Sequence, residues 1–155
     1  MIKRSRARLT ICSMLILLTV CFIWGNSLLQ GETSGDISGG FSAWIGKFIP
    51  FLSPESPNGH YLVRKIAHFS VFFLLGTQLC WLIGMLRSNK VFFHALCICA
   101  AVAAIDESIQ RFIPDRYGCI PDVLLDSCGA ASGIALVLLG YTVFHRLKSK
   151  KEQTL

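Results

Sequence analysis

Four long apolar stretches, Leu9–Trp24, Ile66–Leu86, Val91–Ile105 and Val123–Phe144, alternate along the chain with short polar segments. A helix rises about 1.5 Å per residue, so a hydrocarbon core about 30 Å thick takes about 20 residues to cross. The second and fourth stretches meet that length unaided. The first meets it by continuing through Ser27, Leu28 and Leu29, and the third only by carrying on through Asp106 and Glu107. The pattern predicts an all-α membrane protein. It forms one domain over residues 1–155, with transmembrane helices at about 9–29, 66–86, 89–111 and 122–144.

The connections read differently from one another. Gln30 to Gly40 is polar and glycine-rich, which predicts a loop. Residues 41–52 (FSAWIGKFIPFL) are amphipathic and too short to span, which predicts an interfacial or re-entrant piece. Ser53 to Gly59 carries two prolines and reads as a turn. The hairpin Arg87-Ser88-Asn89-Lys90 is short enough to make the second and third helices antiparallel neighbours.

Composition supports this class: 53% of residues are hydrophobic and the mean hydropathy is +0.56. Charge then orients the chain. Lys3, Arg4, Arg6 and Arg8 precede the first stretch, Arg87 and Lys90 sit in the hairpin, and Arg146, Lys148, Lys150 and Lys151 follow the fourth; together they are ten of the fifteen basic residues. Positive flanks stay in the cytoplasm, so both termini are expected inside. The net charge of +6 is thus a topology signal and no argument for nucleic acid, since the basic residues flank spans and are not interleaved with exposed aromatics. The first stretch reads as a retained anchor, because Trp24-Gly-Asn-Ser-Leu-Leu29 offers no small-x-small cleavage pattern. Six of the seven cysteines fall in or at the start of apolar stretches, and only Cys119 lies in a loop. With no CxxC and no spaced Cys/His pattern, neither disulfides, a metal nor another cofactor is expected.

Because the first helix exits the cytoplasm, three polar clusters are expected together at the extracytoplasmic face. Arg64, Lys65 and His68 enter the second helix; Asp106, Glu107 and Gln110 leave the third; Asp122 and Asp126 open the fourth. Ionisable groups inside a membrane are costly and by default mark function. Lys65 could equally snorkel to the interface, and Asp122 suits the positive end of a helix that Pro121 opens. The carboxylates could also be plain interhelical ion pairs, although an apolar core of the same shape would be cheaper. His68 lies within an apolar run and calls for an acidic partner. His68 and Glu107 stand at about the same distance from the hairpin, near 28 Å at about 1.5 Å per residue. His68 is therefore expected to approach Glu107 or Asp106, with Arg64 or Lys65 reaching the other carboxylate. Gly129 and Gly133 continue the line of Asp122 and Asp126 as a GxxxG face that packs closely on a neighbour.

The ordered set resembles the VanZ-like membrane proteins, named for a protein associated with resistance to the glycopeptide teicoplanin. The resemblance rests on Val63-Arg-Lys-Ile-Ala-His-Phe69 with Leu74-Leu-Gly76, on Asp106-Glu-Ser-Ile-Gln-Arg-Phe-Ile-Pro-Asp-Arg116, and on Asp122-Val-Leu-Leu-Asp-Ser-Cys-Gly129 with Gly133. Trp24 to Ser34 also looks like the segment many relatives carry after their first helix. Relatives usually have asparagine where this chain has Asp126. The resemblance implies a four-helix membrane fold and a link to glycopeptide susceptibility in the bacterial cell envelope. On that footing Arg64, Lys65 and Arg116 are expected to meet an anionic ligand, such as a lipid-linked envelope intermediate. His68, Asp106, Glu107, Gln110, Asp122 and Asp126 would organise the site. The competing class is a membrane enzyme, a hydrolase or transferase with His68, Asp106 or Glu107 in acid–base roles. Against it, Ser108 and Ser127 sit in no nucleophile signature and no phosphate-cradling loop is present. A transporter ranks last, since the charges crowd one end.

Overall fold

The computed structural model describes residues 2–29, 31–86 and 90–153. The order is α1 (Ile2–Ser27), α2 (Gly31–Gly46), a 3-10 turn (Pro50–Leu52), α3 (Gly59–Met85), α4 (Val91–Gln110) and α5 (Ile120–Gln153). Four of these helices, α1, α3, α4 and α5, are long and apolar enough to cross a membrane. The chain is an all-helical, multi-pass membrane protein. Arg87, Ser88 and Asn89 of the expected hairpin lie outside the described residues, as do the side chains of Lys3, Arg4, Lys150 and Lys151.

Helix boundaries overrun the apolar stretches because a helix does not stop where its oily residues do. α3 begins seven residues ahead of Ile66, which brings Arg64 and Lys65 into its second turn. α4 is 20 residues long and reaches spanning length only by including Asp106 and Glu107, as its composition required. Pro121 falls in the first turn of α5, with Asp122 beside it.

One segment departs from the expectation. Residues 31–40 are not a loop but the front of α2, and the predicted interfacial piece at 41–52 is divided between α2 and the 3-10 turn. Tertiary packing overrides the weak helix propensity of glycine here. A Cβ at Gly39 would stand 2.9 Å from the His60 ring, and Ser42 Oγ donates to the Leu52 carbonyl at 2.5 Å. Small residues let this helix fold back against the start of α3. Phe41 and Trp44 remain exposed on its outer side, as does Phe48 just past its end.

The core gathers Phe72, Leu75 and Leu79 of α3, Cys99 and Ala103 of α4, and Ala130 and Ile134 of α5. α3 and α5 approach most closely. A Cβ at Gly76 would lie 2.4 Å from the Ala130 carbonyl oxygen; at Gly129, 2.5 Å from that of Phe69; at Gly133, 2.3 Å from that of Phe73. Those distances permit hydrogen only, so the GxxxG face of α5 is a backbone-to-backbone seam with α3. α1 joins the bundle through Trp24 Nε1, which donates to the Val102 carbonyl at 3.4 Å, and through Thr19 Oγ1 to Gln78 Oε1 at 3.1 Å.

Candidate functional site

The last turn of α1, the first turns of α3 and α5 and the last turn of α4 meet at one end of the bundle. Their polar side chains turn inward. Asp106, Gln110 and Asp126 are fully buried, and Glu107 and Arg116 are nearly so. Gln110 is the hub. Its Nε2 donates to Asp106 Oδ2 at 2.9 Å, to Ser27 Oγ at 3.2 Å and to Glu107 Oε1 at 3.4 Å, while its Oε1 accepts from Arg64 at 3.0 Å. Ser27 Oγ donates to Asp106 Oδ1 at 2.6 Å. Glu107 Oε2 accepts the Cys119 backbone N–H at 2.8 Å, which ties the loop before α5 to α4.

The remaining charges are distributed around this hub. Lys65 pairs with Asp122 at the first turn of α5. Arg116 donates to the Asn26 carbonyl at 2.7 Å at the end of α1. Asp115 just before it sits at φ 60, the left-handed conformation that a short polar residue tolerates, and so returns the chain toward the bundle. Burial and the neighbouring Arg64 guanidinium hold the Arg116 pKa below its ordinary value, while the carboxylates of Asp106 and Glu107 oppose that fall.

His68 stands where its depth relative to Glu107 placed it. One donor atom each from His68, Asp106, Glu107 and Asp126 lies within 4.8 Å of the other three. Two details differ from the expectation. The nearest acid to His68 is Asp126, with Nδ1 to Oδ2 at 3.5 Å, because the close α3–α5 seam draws α5 nearer to His68 than α4. Arg64 and Lys65 bond Gln110 and Asp122, so neither takes a helix-four carboxylate as its hydrogen-bond partner. Both oxygens of Asp126 are buried and accept no hydrogen bond.

A cavity of about 660 Å³ opens beside this cluster, between α1, α2, the 3-10 turn and α3. Its walls are largely apolar, with Phe22, Ile23, Phe41, Ile45 and Phe72 among them. Asn26, Arg64, His68, Asp106 and Arg116 line its polar part. Lys65, Glu107, Gln110, Asp122 and Asp126 stand behind that wall and do not line it. Ser108 and Ser127 donate to the carbonyls of Ala104 and Val123 four residues back in their own helices, so neither hydroxyl is aimed at the cluster.

Sequence reasoning missed Ser27, Asn26 and the Cys119 amide. In the sequence Ser27 reads only as part of the extension that brings the first helix to spanning length. Its signal was the polar pair Asn26-Ser27 breaking an otherwise oily segment, at the depth that later receives Asp106.

No curated protein and no solved structure matches the chain. The sequence model of the VanZ/LLP1 family matches residues 11–143, which takes in α3 and α4 whole, most of α1 and α5, and every member of the buried polar cluster. The chain belongs to the VanZ/LLP1 family.

Proposed function

We propose that this protein works in the bacterial cell membrane, where its cavity holds an anionic amphiphile such as a lipid-linked envelope intermediate, and thereby alters susceptibility to teicoplanin-type glycopeptides. The observation that carries this reading is the cavity of about 660 Å³, apolar along its length and bordered at its polar part by Arg64 and Arg116. An apolar groove takes an acyl or prenyl chain, while planar guanidinium forks suit phosphate and carboxylate oxygens. The positive flanks support an outward-facing pocket: the basic residues in the first two turns of α1 and the last turns of α5 lie at the end of the bundle opposite the cluster. Gln110 holds Arg64, the Asn26 carbonyl holds Arg116, and His68 and Asp106 complete the polar wall, with Asp122 holding Lys65.

Expression in a susceptible host tests the reading. Teicoplanin tolerance rises with the wild-type chain and falls back with an Arg64→Ala, Arg116→Ala variant of equal abundance. Unchanged tolerance on expressing the wild type would defeat the resistance part. Wild-type tolerance in a Glu107→Gln, His68→Ala variant would detach the polar cluster from it.

A catalytic reading uses the same side chains. His68 and Asp106 both line the cavity, within reach of a headgroup for acid–base work. A changed profile of lipid intermediates on deletion, restored only by the wild-type chain, would favour turnover over binding.

A further inference from the structure

The geometry points to a divalent transition-metal site among His68, Asp106, Glu107 and Asp126. Three carboxyl groups from α4 and α5 and one imidazole from α3 place one donor atom each within 4.8 Å of the others, almost wholly out of water. Three adjacent buried carboxylates repel one another and lose their hydration. Such a set persists when protons or a cation neutralise it.

Asp126 separates these two cases. Its two oxygens are buried and neither takes part in a hydrogen bond. A protonated Asp126 would carry an O–H that needs an acceptor, and an ionised one would leave two bare acceptors. Either form is expensive in a buried site. An ion between the four groups satisfies Asp126 directly. Lys65 pairs with Asp122 and Arg64 with Gln110, and His68 Nδ1, 3.5 Å from Asp126 Oδ2, makes no hydrogen bond to it and leaves Oδ1 with no partner.

The other ligands come with the outer hydrogen bonds that metal sites use to aim them. Ser27 and Gln110 fix Asp106; Gln110 and the Cys119 amide fix Glu107. A carboxylate oxygen holding one such bond keeps a second lone pair for a metal. The dimensions are close. A tetrahedral ion with bonds of about 2.1 Å spaces its ligands about 3.4 Å apart. The His68–Asp126 pair stands at 3.5 Å already, and no pair in the group is wider than 4.8 Å. One imidazole with three carboxylates is a set for Zn²⁺, Mn²⁺ or Fe²⁺; a Mg²⁺ or Ca²⁺ site would be built from oxygen alone. Since His68 and Asp106 also line the cavity, the ion sits in its polar wall.

This site stands independently of the amphiphile reading, and its test does not use lipid. The full-length chain, with its affinity tag removed, is stripped with a chelator in detergent, reloaded with Zn²⁺ or Mn²⁺ in separate samples, desalted and assayed for metal. We expect about one equivalent per chain, and Co²⁺ loading to give d–d absorption in the visible. Both signals fall in a His68→Ala, Asp126→Ala variant, with affinity reduced by more than about 100-fold. Because that variant loses two buried groups, a His94→Ala, His145→Ala variant and the wild-type Co²⁺ spectrum provide the second reading. The histidine control keeps its equivalent, and its Co²⁺ bands match those of the wild type. Wild-type chain that retains under about a tenth of an equivalent of either metal overturns the site. So does a His68→Ala, Asp126→Ala chain that retains a full one, or a histidine control that loses it. Equal retention of Mg²⁺ or Ca²⁺ overturns the assigned metal class.

Discussion

Gly129→Ala probes the backbone-to-backbone seam between α3 and α5 beside the polar cluster. The added Cβ would stand 2.5 Å from the Phe69 carbonyl oxygen, where ordinary contact begins at 3.4 Å. The obstacle is helix backbone, which cannot swing aside, so α5 must part from α3 by about 1 Å. A gap of that size forfeits roughly a quarter to a half of the dispersion energy of each atom pair along the seam. Overpacking of this kind costs about 1–3 kcal/mol, and for a chain of this length each kcal/mol moves Tm by about 2–4 °C. The parting also widens the 3.5 Å His68–Asp126 approach, since Phe69 adjoins His68 and Gly129 follows Asp126 by one turn. Gly140→Ala, on the same helix with nothing within 4 Å, is the control. Helix propensity alone predicts a gain of up to about 1 kcal/mol there. Thermal unfolding of both variants in detergent reads the difference. Equal Tm values for Gly129→Ala and Gly140→Ala would refute the argument that hydrogen is the only tenant this seam permits.

Removing the Ser27 hydroxyl leaves a buried Asp106 oxygen short of a donor, so Ser27→Ala should cost about 1–3 kcal/mol in the same assay, while the exposed Ser132→Ala stays within about 0.5 kcal/mol. A double-mutant cycle on Lys65 and Asp122 should give a coupling of about 1 kcal/mol or less, because both side chains keep contact with solvent; a coupling of several kcal/mol would mean that the pair is shielded. Asp115→Gly should keep or slightly raise Tm, since glycine adopts φ 60 freely, whereas Asp115→Val should lower stability by about 1–2 kcal/mol. Lipid retention measured with Arg116→Ala should fall about tenfold for anionic species, and Lys148→Ala, at the far end of α5, should leave it unchanged.

Much of this arrangement was legible in the sequence because its determinants are local. Apolar length gave the spans, and a short third stretch forced Asp106 and Glu107 into the membrane-crossing helix. Counting residues on either side of the hairpin put His68 and Glu107 at one depth, and the structure brings them together. What depended on rotation about the helix axes was not legible. Which carboxylate meets His68 is decided by how closely α3 and α5 approach, and the Gly129–Phe69 contact settles it for Asp126. The helix at residues 31–40 was hidden for a related reason. Glycine propensity argues against it, and the packing of Gly39 on His60 that stabilises it involves residues twenty-one apart. The four-group cluster around His68 carries no spacing motif, because its members come from three separate helices.

The central claim is that the arginine-bordered cavity selects an anionic amphiphile. Native mass spectrometry of the full-length chain released from bacterial membranes, compared with an Arg64→Ala, Arg116→Ala chain, tests it most directly. One lipid with a phosphate or carboxylate headgroup should be retained per wild-type chain and lost from the variant. Retention of only zwitterionic or neutral lipid by the wild type, or equal retention of the anionic lipid by both chains, would contradict it.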